Sequence, residues 1–206
     1  DSGCGKSTLL NLLARLELAD SGSVYWEGKK LTASEKPSAH EISKRASFLG
    51  VIYQSYYLIP ELTVLENVLL PSRFLGGIDS THRQRAMDLL EKMGVLDKQN
   101  QIPGKLSGGE RQRIGIARAL YQNPKILIFD EASSALDNQT EKLVMDEINT
   151  MGNDKTIIII THRIGSVKKC DQIFLIDKGD LKGQCTYDNL IKENAIFRAA
   201  ANDLQK

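Results

Sequence analysis

A short run at the start of the chain has the residue types of a phosphate-binding loop. Lys6 and Ser7 follow a glycine-rich turn and lead directly into a segment with leucines at helical spacing. Amides of such a turn can surround phosphate oxygens, the lysine can reach the β- and γ-phosphates of ATP or GTP, and the serine hydroxyl can bind Mg²⁺. The full loop pattern would place its first glycine one residue before Asp1. The residues assigned to the loop are Gly3, Cys4, Gly5, Lys6, Ser7 and Thr8.

Two adjacent carboxylates end the apolar run "KILIFDE" at 125–131. A short continuous apolar run is typical of a parallel strand covered on both faces, and ligands bind beyond the carboxyl ends of such strands. Asp130 is predicted to help hold Mg²⁺, and Glu131 to polarise the attacking water as general base. A strand entering a polar loop would look similar, but the phosphate loop in the same chain favours nucleotide hydrolysis.

The run "LSGGERQR" at 106–113 predicts a second helix start. Ser107 as N-cap and Glu110 three residues later form a capping-box pattern. That pattern does not explain Gly108 and Gly109, since each glycine costs a helix up to about 1 kcal/mol relative to alanine. The glycines suggest that a ligand approaches the backbone closely, and a second phosphate, bound by the Ser107 hydroxyl and the following amides, fits best.

The elements expected to position these residues alternate between strands and helices. A helix from about Lys6 to Leu16 would present the positive end of its dipole to a phosphate. A hairpin is predicted at Glu27-Gly28, and a buried strand over 46–53. Thr63 and Glu66 form another capping-box pattern, and from Thr63 to about Gly94, which suits a helix C-cap, the apolar period is helical. This predicts a helical subdomain inserted between strands.

The second half of the chain continues the alternation. The run "KTIIIIT" at 155–161 predicts another parallel strand, with a helix from about Asp137 to Asn149 before it. Two strands joined at Lys178-Gly179 and a helical tail follow. The predicted fold class is therefore α/β, with a mostly parallel central sheet and an α-helical insertion.

Composition limits the classes of partner. The 206 residues are 41% hydrophobic and suffice for one domain, while 27 basic and 26 acidic residues give a net charge of +1. This balance predicts no strong attraction to nucleic acid or to an anionic membrane. The apolar runs are far shorter than the roughly 20 residues that span a bilayer. Three cysteines without metal-type spacing favour a reducing, cytoplasmic setting.

Taken in order, the motifs resemble the nucleotide-binding domain of an ATP-binding cassette (ABC) transporter. The resemblance rests on the loop at 3–8, Gln54 after a strand, "LSGGE" at 106–110, "ILIFDE" at 126–131, "SALD" at 134–137 and "THR" at 161–163. It implies a P-loop NTPase fold with an inserted helical subdomain at about 55–112 and a partial antiparallel β-subdomain. It also implies that 1–206 is one such domain without its N-terminal strands and adenine-stacking aromatic residue.

The resemblance further implies roles for individual residues. ATP with Mg²⁺ would lie between the phosphate loop of one subunit and the Ser107–Glu110 signature of a second, in a head-to-tail dimer. Gln54 would contact Mg²⁺ and the attacking water, and His162 would contact the γ-phosphate. Asp137 would communicate across the dimer, although helix capping explains the same residue.

The resemblance is divided between two subfamilies of transporter ATPase. The stretch 49–71 resembles separate subunits of lipoprotein-releasing and macrolide-export systems, whereas the segments around 131–137 and 160–190 resemble exporters whose ATPase is fused to a membrane domain. A natural variant and a recombinant of the two both fit this mixture. The implied partners are transmembrane subunits or domains, which would hold the chain at the cytoplasmic face of the cell membrane.

Two other classes of protein share part of the pattern. A chromosome-maintenance or DNA-repair ATPase needs a long coiled coil between the loop and the signature, but only about 100 residues without sustained heptads lie there. A non-catalytic nucleotide-binding regulator would not need Glu131 and His162. The sequence therefore favours a transport ATPase with no nucleic-acid partner.

Overall fold

The computed structural model divides the chain into two compact units, which are Asp1–Lys36 with Ile159–Lys206, and Pro37–Ile158. The boundary at about 55–112 expected for the helical subdomain stays a prediction. The structure describes residues 5–14, 16–26, 28–32, 48–53, 55–73, 77–130, 155–161 and 164–202.

The first unit begins with helix α1, Lys6–Leu13, followed by an antiparallel hairpin. Strands β1, Ser23–Trp26, and β2, Lys29–Thr32, pair with Trp26 opposite Lys29, as the Glu27-Gly28 turn predicts. Helix α1 starts where the sequence predicts but ends three residues early. The amides of Leu16 and Glu17 both donate to the carbonyl of Asn11, so the chain turns out of the helix there.

The rest of the first unit contains a second hairpin and two helices. A 3₁₀ turn, Ile164–Val167, precedes strands β6, Ile173–Asp177, and β7, Asp180–Cys185, which pair antiparallel. Lys178 and Gly179 both have positive φ, 50° and 83°, which suits the right-handed twist of a two-residue hairpin turn. The tail forms helices α5, Tyr187–Glu193, and α6, Ala195–Asn202.

The core of this hairpin region is apolar. Ile173 from β6, Leu190 from α5 and Phe197 from α6 are buried together, with the rings of Tyr187 and Phe197 in an edge contact at 5.6 Å between centroids. The predicted helical tail thus packs on the second hairpin through its apolar face.

The central sheet has the order β3-β4-β5 and is parallel. Its strands are β3, Leu49–Tyr53, β4, Ile126–Asp130, and β5, Thr156–Ile160. Leu127, Ile128 and Phe129 are all buried, so β4 is covered on both faces as its continuous apolar run predicts. The register pairs Tyr53 with Asp130, which brings the carboxyl ends of β3 and β4 to one edge.

Three helices of the second unit pack around one another. They are α2, Val64–Arg73, α3, Ser80–Lys92, and α4, Gly108–Leu120, with 3₁₀ turns at Leu96–Lys98 and Pro103–Lys105. Helix α2 begins with the predicted capping box, in which Glu66 accepts from the Thr63 amide at 2.9 Å. Gly94 has φ 64° just after α3, as expected of a glycine that ends a helix.

A glycine in β3 has no room for a side chain. A Cβ at Gly50 would lie 2.7 Å from the carbonyl oxygen of Ala119 and 2.9 Å from Cγ of Pro124. We expect Gly50→Ala to lower the free energy of unfolding by about 1–3 kcal/mol, since overpacking a close backbone contact forces shifts of this cost. Chemical denaturation measures the change. Gly104→Ala is the control because a Cβ there meets nothing within 4 Å, and equal stability of the two variants would contradict the prediction.

Within the described parts of the chain, no helix combines the length and hydrophobicity needed to span a bilayer.

Candidate functional site

The described end of the phosphate loop has the backbone of a loop that turns sharply into a helix. Gly5 has φ 92°, a left-handed conformation that glycine adopts without steric cost, and α1 begins at the next residue. Ser7 and Thr8 are exposed and Lys6 is half-buried. Gly3 and Cys4 lie outside the described residues. A helix start with exposed polar side chains can receive a phosphate, since its first amides have no partner within the helix.

The left-handed turn at Gly5 gives a test of the loop. We expect Gly5→Ala to lower the free energy of unfolding by about 1–2 kcal/mol, the usual cost of a Cβ in this conformation, and to weaken ATP binding in a direct titration. A Cβ at Gly5 meets nothing within 4 Å, so the effect should come from the backbone and not from crowding. Gly104→Ala, also uncrowded but without positive φ, should change neither quantity. Unaltered ATP affinity in Gly5→Ala would argue against the phosphate-loop assignment.

The signature stretch begins helix α4 through a complete capping box. The Ser107 hydroxyl accepts from the Glu110 amide at 3.3 Å, and the Glu110 carboxylate accepts from the Ser107 amide at 2.7 Å and from its hydroxyl at 2.9 Å. The predicted capping box is therefore confirmed. A phosphate bound here would compete with the Glu110 carboxylate for the hydroxyl proton of Ser107, whereas the hydroxyl oxygen can accept from the Glu110 amide in both cases.

The capping box also makes the carboxylate of Glu110 more acidic. Hydrogen bonds from the backbone and then the side chain of Ser107 lower the pKa of Glu110, with a smaller contribution from Lys98. Because these bonds favour the ionised form, their stabilisation is present above the unfolded-state pKa of about 4.3 and is lost as the pH falls through the lower folded-state pKa.

This coupling predicts a pH-dependent effect of Glu110→Gln. We expect the variant to be less stable than the unmodified protein at pH 7, and the difference to shrink as the pH falls below about 4.3. Denaturant unfolding at a series of pH values measures it, with the exposed α3 residue Glu91 changed to glutamine as control. A difference that does not vary with pH would show that ionisation of Glu110 does not contribute.

The two glycines of the signature have different surroundings. A Cβ on Gly108 would lie 3.4 Å from the hydroxyl oxygen of Tyr56, whereas one on Gly109 would meet no atom closer than Nη1 of Arg113 at 3.6 Å. Gly109 is exposed. The close approach predicted for Gly108 is thus partly supplied by the protein itself, while the backbone at Gly109 is open on its outer side.

One of the predicted metal ligands lies at a strand end that the structure describes. Asp130 is half-buried at the end of β4, opposite Tyr53, the residue before Gln54. Gln54, Glu131, Asp137 and His162 lie outside the described residues, and their roles stay predictions. Lys6 and Ser7 belong to the first unit, and Asp130 and Ser107 belong to the second.

The donor set fits Mg²⁺. The predicted ligands Ser7, Gln54 and Asp130 offer hydroxyl, amide and carboxylate oxygens, which this ion prefers. Among the described residues no cluster of three or more histidine, cysteine, aspartate or glutamate side chains could hold a metal. In nucleotide sites Mg²⁺ is held by one or two protein ligands together with the phosphates and water.

A residue that the sequence did not single out links the signature helix to the segment after Gln54. Arg118, in the last turn of α4, donates to the carbonyl oxygens of both Tyr56 and Tyr57. The sequence of the signature run favours a solvated or interface face for its arginines. Arg111 is instead half-buried, with its guanidinium 5.7 Å from the ring centroid of Tyr56.

Comparison with known proteins places the chain among ATP-binding transport components. Residues 1–134 match the ABC transporter family. An ABC transporter ATP-binding protein of Methanocaldococcus jannaschii is 42% identical over 87% of this chain and 80% of that protein. The lipoprotein-releasing system ATP-binding protein LolD of Treponema denticola is 35% identical over 88% of this chain and 80% of that protein. The methionine import ATP-binding protein MetN of Thermobifida fusca is 38% identical, and the chain spans 56% of its length.

Solved structures agree. A dimeric ATP-binding cassette in a post-hydrolysis state, bound to ADP and Pi, superposes with a TM-score of 0.80 at 32% identity over 91% of this chain and 82% of that one. A bacterial Atm1-family ABC exporter with ATP bound superposes with a TM-score of 0.83 at 28% identity over 100% of this chain and 36% of that one. The fold described above is that of an ATP-hydrolysing cassette. The chain belongs to the ABC transporter family.

Proposed function

We propose that the chain hydrolyses ATP as the motor of a transporter, with nucleotide-dependent dimerisation coupled to movement of a substrate across or out of a membrane. The observation that carries the proposal is the presence of two different phosphate-type helix starts in one chain, at Gly5–Lys6 and at Ser107–Gly109. One ATP does not require both from a single subunit. In a head-to-tail dimer each helix start would serve a different ATP.

The chemistry assigned to each residue follows from its type and position. Lys6 and the first amides of α1 bind the phosphates, and Ser7 and Asp130 would hold Mg²⁺. Bound Mg²⁺ neutralises charge on the β- and γ-phosphates. Glu131 accepts a proton from the attacking water, and His162 donates a hydrogen bond to the γ-phosphate. The signature amides of the second subunit stabilise the charge on the same phosphate.

The type of transporter is a finer part of the proposal. We favour a separate subunit of the lipoprotein-releasing or macrolide-export type because 49–71, which includes β3 and most of α2, resembles those systems, and LolD of Treponema denticola is among the relatives. The similarity to an Atm1-family exporter supports the alternative of an ATPase fused to a membrane domain. In both cases the partner is a transmembrane protein and the chain works at the cytoplasmic face of the membrane.

Phosphate release by the full-length protein tests the proposal. We expect turnover that needs both ATP and Mg²⁺ and that rises when the membrane protein that co-purifies with it is added in lipid vesicles. Double-stranded DNA is the matched addition, because a chromosome-maintenance ATPase would respond to it. Absence of turnover, or stimulation by DNA but not by the membrane protein, would refute the transport function.

A further inference from the structure

Arg118, in the last turn of the signature helix α4, donates hydrogen bonds to two consecutive backbone carbonyls. Nη1 of Arg118 lies 2.7 Å from the carbonyl oxygen of Tyr57, and Nη2 lies 2.8 Å from that of Tyr56. Both distances are those of strong hydrogen bonds from a charged donor. The planar guanidinium holds its donors in a fixed fork, so it sets the orientation of both peptide groups as well as their position.

Tyr56 also lies close to three other residues of α4. Its hydroxyl approaches Gly108 in the first turn, its carbonyl oxygen is 3.7 Å from the position of a Cβ on Gly115, and Arg111 packs over its ring. A larger residue at 115 would press on this carbonyl. The contacts extend over much of the helix, from the signature glycines to Arg118.

The next residue, Tyr57, is more exposed than the half-buried Tyr56. Tyr57 is 67% exposed, has φ 43°, and makes an edge contact with Tyr53 at 5.0 Å between ring centroids. The left-handed conformation is uncommon for a residue with a side chain and persists where surrounding contacts hold it. The Arg118 fork supplies such a contact while leaving the Tyr57 ring facing solvent.

A second side chain holds the far end of this segment. Asn67 of α2 is fully buried; its amide nitrogen donates to the carbonyls of Ile59, Leu62 and Thr63, and its oxygen accepts from the Ile59 amide. Residues 55–63 are therefore tied to α4 at one end and to α2 at the other.

We propose that Arg118 is a positioning residue that holds the backbone of Tyr56 and Tyr57 against the signature helix, so that the segment after Gln54 and Ser107–Gly109 shift together and stimulation of ATP hydrolysis by a membrane partner depends on this arginine. The inference rests on the proposed transport function, since it assigns the partner's signal a route to the ATP site. Arg118 itself need not touch ATP.

Two variants and a control separate the effect of the two Arg118 hydrogen bonds from other effects of the arginine. Arg118→Met removes both donors but keeps an apolar stem, and Arg118→Lys keeps the positive charge near the helix C-terminus but not the planar fork. Arg83→Met, at an exposed site on α3, is the matched control. All are made in the full-length protein.

The first measurement is the rate of chymotrypsin cleavage after Tyr56 and Tyr57, relative to cleavage after the exposed Tyr25 of the first hairpin. We expect at least about a tenfold rise in this ratio for Arg118→Met, because a hydrogen bond from a charged donor stabilises by about that factor or more. Arg118→Lys should give a smaller rise, and Arg83→Met none. Destabilisation of the whole second unit would also raise cleavage after Tyr121, which is buried in that unit, whereas loss of the Arg118 hydrogen bonds alone should leave cleavage after Tyr121 unchanged.

The second measurement is the ratio of partner-stimulated to basal ATPase rate, which does not depend on the fraction of active protein. We expect this ratio to fall towards 1 in Arg118→Met, to recover partly in Arg118→Lys, and to be unaffected by Arg83→Met. An unchanged cleavage ratio would overturn the inference, as would faster cleavage with full stimulation. If the unmodified protein is not stimulated by any membrane partner, the proposed function fails, and the cleavage ratio still decides whether Arg118 holds the segment.

Discussion

Glu131→Gln should slow steady-state ATP hydrolysis by at least about 100-fold, because a positioned general base contributes two to four orders of magnitude. Glutamine has nearly the shape of glutamate but cannot accept the proton of the attacking water. ATP binding should be retained, since the phosphate contacts assigned to Lys6 and Ser7 are unchanged. Phosphate release and a direct ATP titration, made on the same preparation, measure the two effects separately.

The same substitution should make the dimer visible. If ATP joins two subunits and hydrolysis separates them, the Glu131→Gln variant with ATP and Mg²⁺ should have twice the monomer mass, as measured by light scattering. Its mass should return to that of the monomer when ATP is removed. Glu91→Gln, at an exposed position on α3, should hydrolyse ATP normally and give no stable dimer. Normal turnover in Glu131→Gln would remove this residue from the catalytic assignment, and a monomer with bound ATP would contradict closure.

Local signals in the sequence predicted the local structure well. The capping boxes at Thr63–Glu66 and Ser107–Glu110 and the hairpin turn at Lys178-Gly179 depend on residues within four positions of each other. Their energies are contained in short stretches of chain, so residue types and spacing suffice to read them. The buried strand at 126–130 could also be predicted from the sequence because its apolar run is continuous.

Structural features that depend on contacts between distant residues could not be predicted from the sequence. The hydrogen bonds from Arg118 to the carbonyls of Tyr57 and Tyr56 join residues 61 and 62 positions apart. Every residue has a backbone carbonyl, so the residue types do not reveal which carbonyls accept these bonds. The early end of α1 was missed although its contacts are local. Leu16 continues the leucine period, but its amide donates to the carbonyl of Asn11, five residues earlier and outside the helical pattern. For the candidate site, the helix starts at Lys6 and Gly108 were predicted, but the contact that links the second of them to the Gln54 segment was not.

Mixing two inactive variants should restore part of the ATPase activity. Lys6→Ala removes the lysine that reaches the phosphates, and Gly109→Asp places a carboxylate where the signature would meet the second subunit's ATP. Each variant alone should be inactive. In a head-to-tail heterodimer one site combines both defects, and the other combines an intact phosphate loop with an intact signature.

The size of the recovery is fixed by counting. Equal amounts of two freely exchanging variants give half heterodimers, each with one intact site of two, so the mixture should reach about a quarter of normal activity if the sites act independently. If one ATP used the loop and the signature of the same subunit, mixing would restore nothing. Phosphate release by the mixture, compared with each variant alone at the same total concentration, distinguishes the two arrangements.

Gly109 suits this experiment for a structural reason. A Cβ there has no close neighbour except the flexible end of Arg113, and an aspartate in the first turn of α4 interacts favourably with the helix dipole. Gly109→Asp should therefore fold normally while repelling phosphate. Gly109→Asn has the same size without the charge and should retain more activity than Gly109→Asp. Equal loss in both variants would show that bulk, and not charge, blocks the signature, and the head-to-tail arrangement would still be decided by the recovery on mixing with Lys6→Ala.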